Sequence, residues 1–229
     1  MSVYASQDLA EYIVGFKTFA EYQKRDVIID PTEQLRRVYL VESGYVKTYD
    51  IDEAGNERTI NIFQAGAVFP VVWLMAELPA TPFFYYEALT SVRCALVDAW
   101  TLRQYAFSRP DVMRSLVDAL VRSNINMAMR VFNLENSRVG ERLDFVLLQL
   151  ATRLGVMRGG VARLDVPITQ EEIARLAGVT RESMSLELSR RSKHRPYWRE
   201  GHATYIDYHN LNSRMQAVVM RDEPTMRSV

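Results

Sequence analysis

The sequence predicts an α+β protein in three parts: a β-barrel or jelly roll, a long helix, and a C-terminal winged helix-turn-helix. Three observations carry that expectation. Short runs rich in β-branched and aromatic residues recur between residues 26 and 100, split by turn signals. From Pro110 the apolar residues move to three- and four-residue spacing. Around Gly178, two short capped segments with helical patterning follow each other closely. The implied divisions are 1–109, 110–137 and 138–229.

Bulk properties narrow the class. The 229 residues are 48% hydrophobic, enough for a real core in one large or two modest domains. Lys plus Arg and Asp plus Glu both number 28, so net charge says nothing about nucleic acid. Its distribution says more: between Arg181 and Arg199 six basic residues stand against two acidic ones. A local basic patch on a neutral chain suits phosphate contact, although a solvated helix face reads the same way. The single cysteine, Cys94, allows no disulfide framework within the chain and fits a reducing compartment. Asp8 and Glu11 interrupt the early apolar residues, which argues against a signal peptide, and no run reaches membrane-span length. The expectation is a cytoplasmic protein with no membrane partner.

Taken in order, residues 5–20 read as a short amphipathic helix. Val27–Ile29, Val38–Val41, Tyr45–Tyr49 and Thr59–Phe63 read as strands, with 52–56 as a hairpin loop. More strand is expected at Tyr85–Val97, after a stretch holding Pro70, Pro79 and Pro82. Pro110 suits the first turn of a helix. Met113, Leu116, Leu120, Met127, Val131 and Leu134 then form a stripe that is either core or a coiled-coil seam. Residues 133–140 read as a hinge and Glu141–Leu154 as a further helix. A strand at Val161–Val166, a two-stranded wing around Glu200-Gly201 and a last helix from Leu211 to Met220 complete the chain.

The segment Thr169–Arg190 is the most specific. Thr169 with Glu172 three residues on makes a capping box. Ile173, Ala174, Leu176 and Ala177 give an apolar side, and the small Ala174 lets a second helix cross closely. Gly178 supplies a position where φ > 0 is cheap. Thr180 caps the second helix, whose first turn holds Arg181, Glu182 and Ser183. That is the order of parts in a helix-turn-helix, whose second helix enters the major groove of double-stranded DNA. A plain helical hairpin is the alternative.

A β-rich domain, a long helix and a winged helix-turn-helix in that order resemble the CRP/FNR family of bacterial transcription regulators. The likeness is carried by Val38–Lys47 as a strand-turn-strand, Asp52–Glu57 as a hairpin, Phe63–Phe69 entering the effector pocket, Glu87–Val92 leaving it, and Thr169–Arg190 as the DNA reader. The resemblance implies a cyclic-nucleotide-binding-like sensor, a homodimer through the long helix, and RNA polymerase as a partner. It favours the Met113–Leu134 stripe as the dimer seam.

The effector pocket departs from the family pattern. Cyclic-nucleotide binders hold the ribose with a Glu and the phosphate with an Arg-Ser pair. Here those positions fall on Val71 and on Pro82-Phe83, which cannot hold an anion, so no cyclic AMP binding is expected. No cofactor or metal is expected either. The histidines, His194, His202 and His209, all lie in or after the DNA-binding segment, and one thiol cannot hold an iron–sulfur cluster. Phe69, Trp73, Met75, Phe83, Phe84, Tyr85 and Tyr86 either line an apolar ligand site or fill it.

By resemblance, Arg181 and Glu182 are base readers, suited to guanine and to cytosine N4 respectively. A third reading position falls on Leu186, which suits only a thymine methyl. Ser183, Ser185 and Arg190 are candidates for phosphate or base contact, and Thr169 and Thr180 for phosphate contact. Beyond Arg190 the family pattern fails, with Arg191 where a Leu is usual and Arg195 where a Gly is usual. Either these charges grip phosphate or the helix end packs poorly. A ligand-binding or interaction module with a weakened DNA reader is the second reading. No phosphate loop, nucleophile elbow or metal cluster supports an enzyme.

Overall fold

Residues 1–130 and 131–229 form two compact units. The computed structural model describes residues 3–71, 83–136, 138–166, 168–191 and 195–221. Trp73, Met75 and Pro82 lie outside the described residues.

In the first unit, α1 (Gln7–Gly15) is capped by Ser6, whose hydroxyl accepts from the Leu9 N–H. Nine strands follow or flank it: β1 (Val3–Tyr4), β2 (Phe19–Tyr22), β3 (Val27–Ile29), β4 (Arg37–Ser43), β5 (Val46–Ile51), β6 (Glu57–Phe63), β7 (Ala67–Phe69), β8 (Tyr85–Ala88) and β9 (Val92–Asp98). They pair antiparallel in two sheets, ordered β1-β7-β4-β9-β2 and β3-β8-β5-β6. Both sheets contribute to one inner cluster, including Val41, Phe69 and Leu96 from the first and Val46, Phe63 and Tyr86 from the second. This is the expected jelly-roll architecture, with alternate residues facing inward. The expected strand over 85–97 is two strands, β8 and β9, with the turn at Leu89–Ser91 between them. Gly44 holds φ +85°, and a Cβ there would meet the Ser91 carbonyl oxygen at 2.2 Å. Only glycine fits that approach.

The hairpin of β5 and β6 contains a bulge. Thr48 pairs with Asn61 and Tyr49 with Thr59, which leaves Ile60 as the extra residue. The sheet ends at β6, so its outer carbonyls need other donors.

Two helices close the unit. α2 (Ala99–Ser108) is capped by Asp98, which accepts from the Thr101 N–H at 3.0 Å. Its exposed Trp100 and Phe107 leave no clean apolar stripe, so periodicity along the sequence does not reveal it. α3 (Pro110–Asn136) is the expected long helix, but it is shared between the two units and does not form a unit of its own. Arg130 on α3 donates from Nη2 to the Thr59 carbonyl at 2.9 Å and from Nη1 to the Ile60 carbonyl, so the bulge of the edge strand is clasped by the helix.

The proposed seam needs correction. Leu116 is 2% exposed, and Met113 and Leu120 pack with it against a second cluster of Leu9, Ile13, Val38, Leu102 and Val112. These three are core of the first unit, because α1 and the outer face of the five-stranded sheet cover that side of α3. Met127 and Val131 are exposed, and the Leu134 side chain lies outside the described ones. A different row is exposed to solvent: Val117, Val121, Ile125 and Met129, spaced by four, with Val121 52% and Ile125 57% exposed.

In the second unit, α4 (Val139–Leu154) buries Leu143, Leu147 and Leu150. β10 (Val156–Arg158) and β11 (Val161–Leu164) form a hairpin, then α5 (Gln170–Leu176) and α6 (Arg181–Arg190) follow. β12 (Tyr197–Glu200) and β13 (Ala203–Ile206) make the wing, and α7 (Tyr208–Arg221) ends the described chain. The sheet order is β10-β11-β13-β12. No described helix is long and apolar enough to cross a membrane.

Candidate nucleic-acid interface and sensor interior

The helix-turn-helix is built by local chemistry. The Thr169 hydroxyl accepts from the Glu172 N–H at 3.2 Å, and the Glu172 carboxylate accepts from the Thr169 N–H at 2.6 Å. This capping box starts α5. Gly178 takes φ +62°, and the next N–H, of Val179, donates to the Ala174 carbonyl at 3.0 Å. That ends α5 in a left-handed cap. The Thr180 hydroxyl accepts from the Ser183 N–H at 3.2 Å and starts α6. Buried Thr204 on β13 adds a tether. Its hydroxyl donates to the Val166 carbonyl at 2.8 Å and accepts from the Ile168 N–H at 3.2 Å. The segment entering α5 is thereby held to the wing sheet.

Packing then sorts the residues of α6. Met184 is fully buried, and Ser183, Glu187 and Leu188 are half-buried. Arg181, Glu182, Ser185, Leu186 and Ser189 are exposed. The spacing of these five puts them on one side of the helix, opposite Met184. Leu186 is 56% exposed, an apolar residue held in water. Of the expected DNA contacts, Arg181, Glu182, Ser185 and Leu186 share this face and Arg190 lies exposed at its end. Thr169, Thr180 and Ser183 are engaged in the caps. The wing presents Trp198 stacked on Tyr205 with ring centres 5.5 Å apart.

Arg191 is paired with two carboxylates. Its Nε lies 2.6 Å from the Glu187 carboxylate and its Nη1 2.5 Å from that of Asp144 on α4. It is an internal strut between carboxylates 47 and four residues away, a pairing that no local sequence pattern signals. Arg195 is exposed.

In the roll, the structure brings together Phe69 and Tyr86, stacked at 5.0 Å, with Phe63 within 5.8 Å of both. It separates the other pocket candidates. Val71 belongs to the second cluster with Leu9 and Val38. Tyr85 stacks on Tyr49, away from the inner cluster, and Phe83 is 63% exposed. Strand alternation is the reason: Phe69 and Tyr86 point inward, while Tyr85 points to the other face. Cys94 is fully buried, and burial pushes its thiol up to about 12. No group of three or more metal-ligating side chains occurs among the described residues.

A two-sheet roll, a long helix and a winged helix-turn-helix whose second helix exposes one face define the fold class of a DNA-binding regulator. Comparison with known proteins agrees. Residues 19–108 match the cyclic nucleotide-binding domain family and residues 141–195 the Crp-like helix-turn-helix domain. A CRP-like cAMP-activated global transcriptional regulator of Mycobacterium tuberculosis is 33% identical over 179 residues, covering 76% of this chain and 73% of that protein. A global nitrogen regulator of Synechococcus elongatus is 24% identical over 72% of this chain and 74% of its own. The structure of FixK2 from Bradyrhizobium japonicum shares the fold at TM-score 0.71 and 22% identity, over 86% of this chain and 96% of that one. The chain belongs to the CRP/FNR family of transcription regulators and carries its DNA-binding helix-turn-helix.

Proposed function

We propose that the chain acts as a homodimer that reads a two-fold-related DNA site with paired α6 helices. The single observation that carries this reading is the exposed row Arg181, Glu182, Ser185 and Leu186 on one face of a doubly capped helix. Arg181 reads guanine, Glu182 cytosine N4, and Leu186 a thymine methyl. Arg190 contacts phosphate, as do the capped helix starts at Thr169 and Thr180. The two protomers meet through α3 along Val117, Val121, Ile125 and Met129, which supports a revised seam. RNA polymerase is the partner on the promoter, the protein works in the cytoplasm, and it is not an enzyme.

The M. tuberculosis relative is described as cAMP-activated. We propose that cyclic AMP does not act on this chain, because Val71, Pro82 and Phe83 stand where cyclic-nucleotide binders carry a Glu and an Arg-Ser pair. Selection of bound duplexes from a random pool tests the DNA reading: a palindromic consensus is expected, and equal affinity for every sequence would overturn it. Calorimetric titration with cyclic AMP tests the second part: no binding is expected, and saturable binding would overturn it.

A further inference from the structure

The recognition helix is fastened differently along its two halves. The first half is held by backbone and core: the Thr180 cap, the Val179 N–H on the Ala174 carbonyl, and Met184, which is fully buried. Beyond Met184 the apolar anchoring thins out. Ser185, Leu186, Ser189 and Arg190 are exposed, and Leu188 is the one apolar side chain of that half that is half-buried. The other two half-buried residues, Glu187 and Arg191, are charged.

Those two form a plug seated on α4. The Arg191 Nε lies 2.6 Å from the Glu187 carboxylate, and its Nη1 2.5 Å from that of Asp144, whose side chain is 8% exposed. Arg214 of α7 approaches the same Asp144 carboxylate at 3.9 Å. The seat is close because Gly140, one turn before Asp144, has no side chain. A Cβ there would meet the Arg191 guanidinium, and the Glu187 carboxylate at 2.6 Å. This ionic contact stands where the family pattern carries a leucine. Stability does not account for the exchange. A buried ion pair returns no more than an apolar pair of similar volume, and often less, because each ion gives up its hydration. What charge-assisted hydrogen bonds add is direction: the planar guanidinium bonds along fixed lines, whereas apolar contact is non-directional.

We infer that Asp144 and Arg191 are positioning residues for base reading: their pair sets where the Leu186 end of α6 lies in the major groove, and so sets the preference at the base pair that Leu186 meets. Arg181 and Glu182, in the half fixed by cap and core, read independently of it. The inference rests on the proposed DNA reading and extends it to residues that touch no DNA.

Competition binding of the full chain to single-base variants of its selected duplex tests it, with denaturant unfolding of the same samples. Leu186→Ala first marks the pair that Leu186 meets, as the one whose preference it removes. Asp144→Leu with Arg191→Leu then exchanges the ion pair for an apolar one. This double variant is expected to unfold close to the parent. At the marked pair it discriminates by less than about twofold, where the parent discriminates by about fivefold or more. Preference at the Arg181 pair stays as in the parent. Should the double variant not fold, Asp144→Asn, which keeps the shape and removes the charge, is to show the same split between the two pairs. Parent-like discrimination at the marked pair overturns the inference, because packing alone then positions the helix. A loss equal at every pair overturns it too, since the strut then only holds the unit together. A parent with a consensus but no pair that depends on Leu186 sinks this inference and leaves the DNA reading standing. Equal affinity of the parent for every sequence sinks the DNA reading and this inference with it.

Discussion

Arg191, at the C-cap of the recognition helix, places its guanidinium 2.5 Å from the Asp144 carboxylate on α4. Its side chain is 18% exposed and that of Asp144 8%. Glu187 holds the same guanidinium at 2.6 Å and Arg214 approaches Asp144 at 3.9 Å, so four charges close on one another. Burial nevertheless keeps the Asp144 carboxyl above its ordinary range, against the pull of both arginines. The cluster fixes the end of α6 against α4, and so fixes the angle at which the exposed face is presented.

Asp144→Ala leaves Arg191 and Arg214 with less compensation in a dry site. Removing one partner of a buried pair costs about 3 kcal/mol. Denaturant unfolding is expected to show that loss, and Asp144→Leu with Arg191→Leu together to recover much of it. The strut also separates from phosphate contact by salt. Arg191→Ala leaves the slope of log affinity against log salt unchanged, whereas Arg190→Ala reduces it by about 1. A reduced slope for Arg191→Ala would return that residue to the DNA interface.

At the reading face, Arg181→Ala is expected to cost roughly 1–3 kcal/mol on the selected site and to relax preference at one base pair. Leu186→Ala is expected to weaken a thymine preference at another position with no change in salt slope. Competition binding with single-base variants of the selected duplex reads both. An Arg181→Ala loss that is uniform across all variants would reassign it to the backbone.

The recognition unit was legible because its signals are local. Thr169 with Glu172, Gly178 and Thr180 lie within twelve residues, and each acts on its own backbone. The strands from Val27 to Phe63 were legible for the same reason, as alternation and turns need no distant partner. What escaped the sequence depends on what covers a surface. The Met113–Leu120 and Val117–Ile125 rows both run along α3 at helical spacing, and only the packing of α1 and the sheet decides which is core. The partner of Arg191 escaped because Asp144 lies 47 residues away. Asn61 carried no sequence signal, because its burial without a hydrogen-bond partner is defined only by the folded sheet.

The two rows on α3 give opposite mutational outcomes. Ile125→Glu puts a charge on an exposed apolar row, and is expected to halve the mass in light scattering and leave the melting of the first unit nearly unchanged. Leu116→Ala empties a fully covered site and is expected to cost about 2–5 kcal/mol of stability with the mass unaltered at native temperature. If Ile125→Glu leaves the mass unchanged, the exposed row is not the seam.

Cys94 supplies a pH signature of the roll. It lies on β9, fully buried, and burial lifts its thiol from an ordinary value of 9.0 to about 12, with Glu42 adding a smaller push. The folded chain thus keeps the proton in a range where the unfolded chain releases it. The contribution is fully present below about pH 9 and is lost as pH rises toward 12, at no more than about 1.4 kcal/mol per pH unit for one proton. Cys94→Ala should remove this part of the alkaline decline in denaturant stability. In the parent at pH 8, a thiol reagent should react only as fast as the roll opens, since the thiolate is scarce and covered. Rapid reaction in the native state would mean that the strand carrying Cys94 is open to solvent.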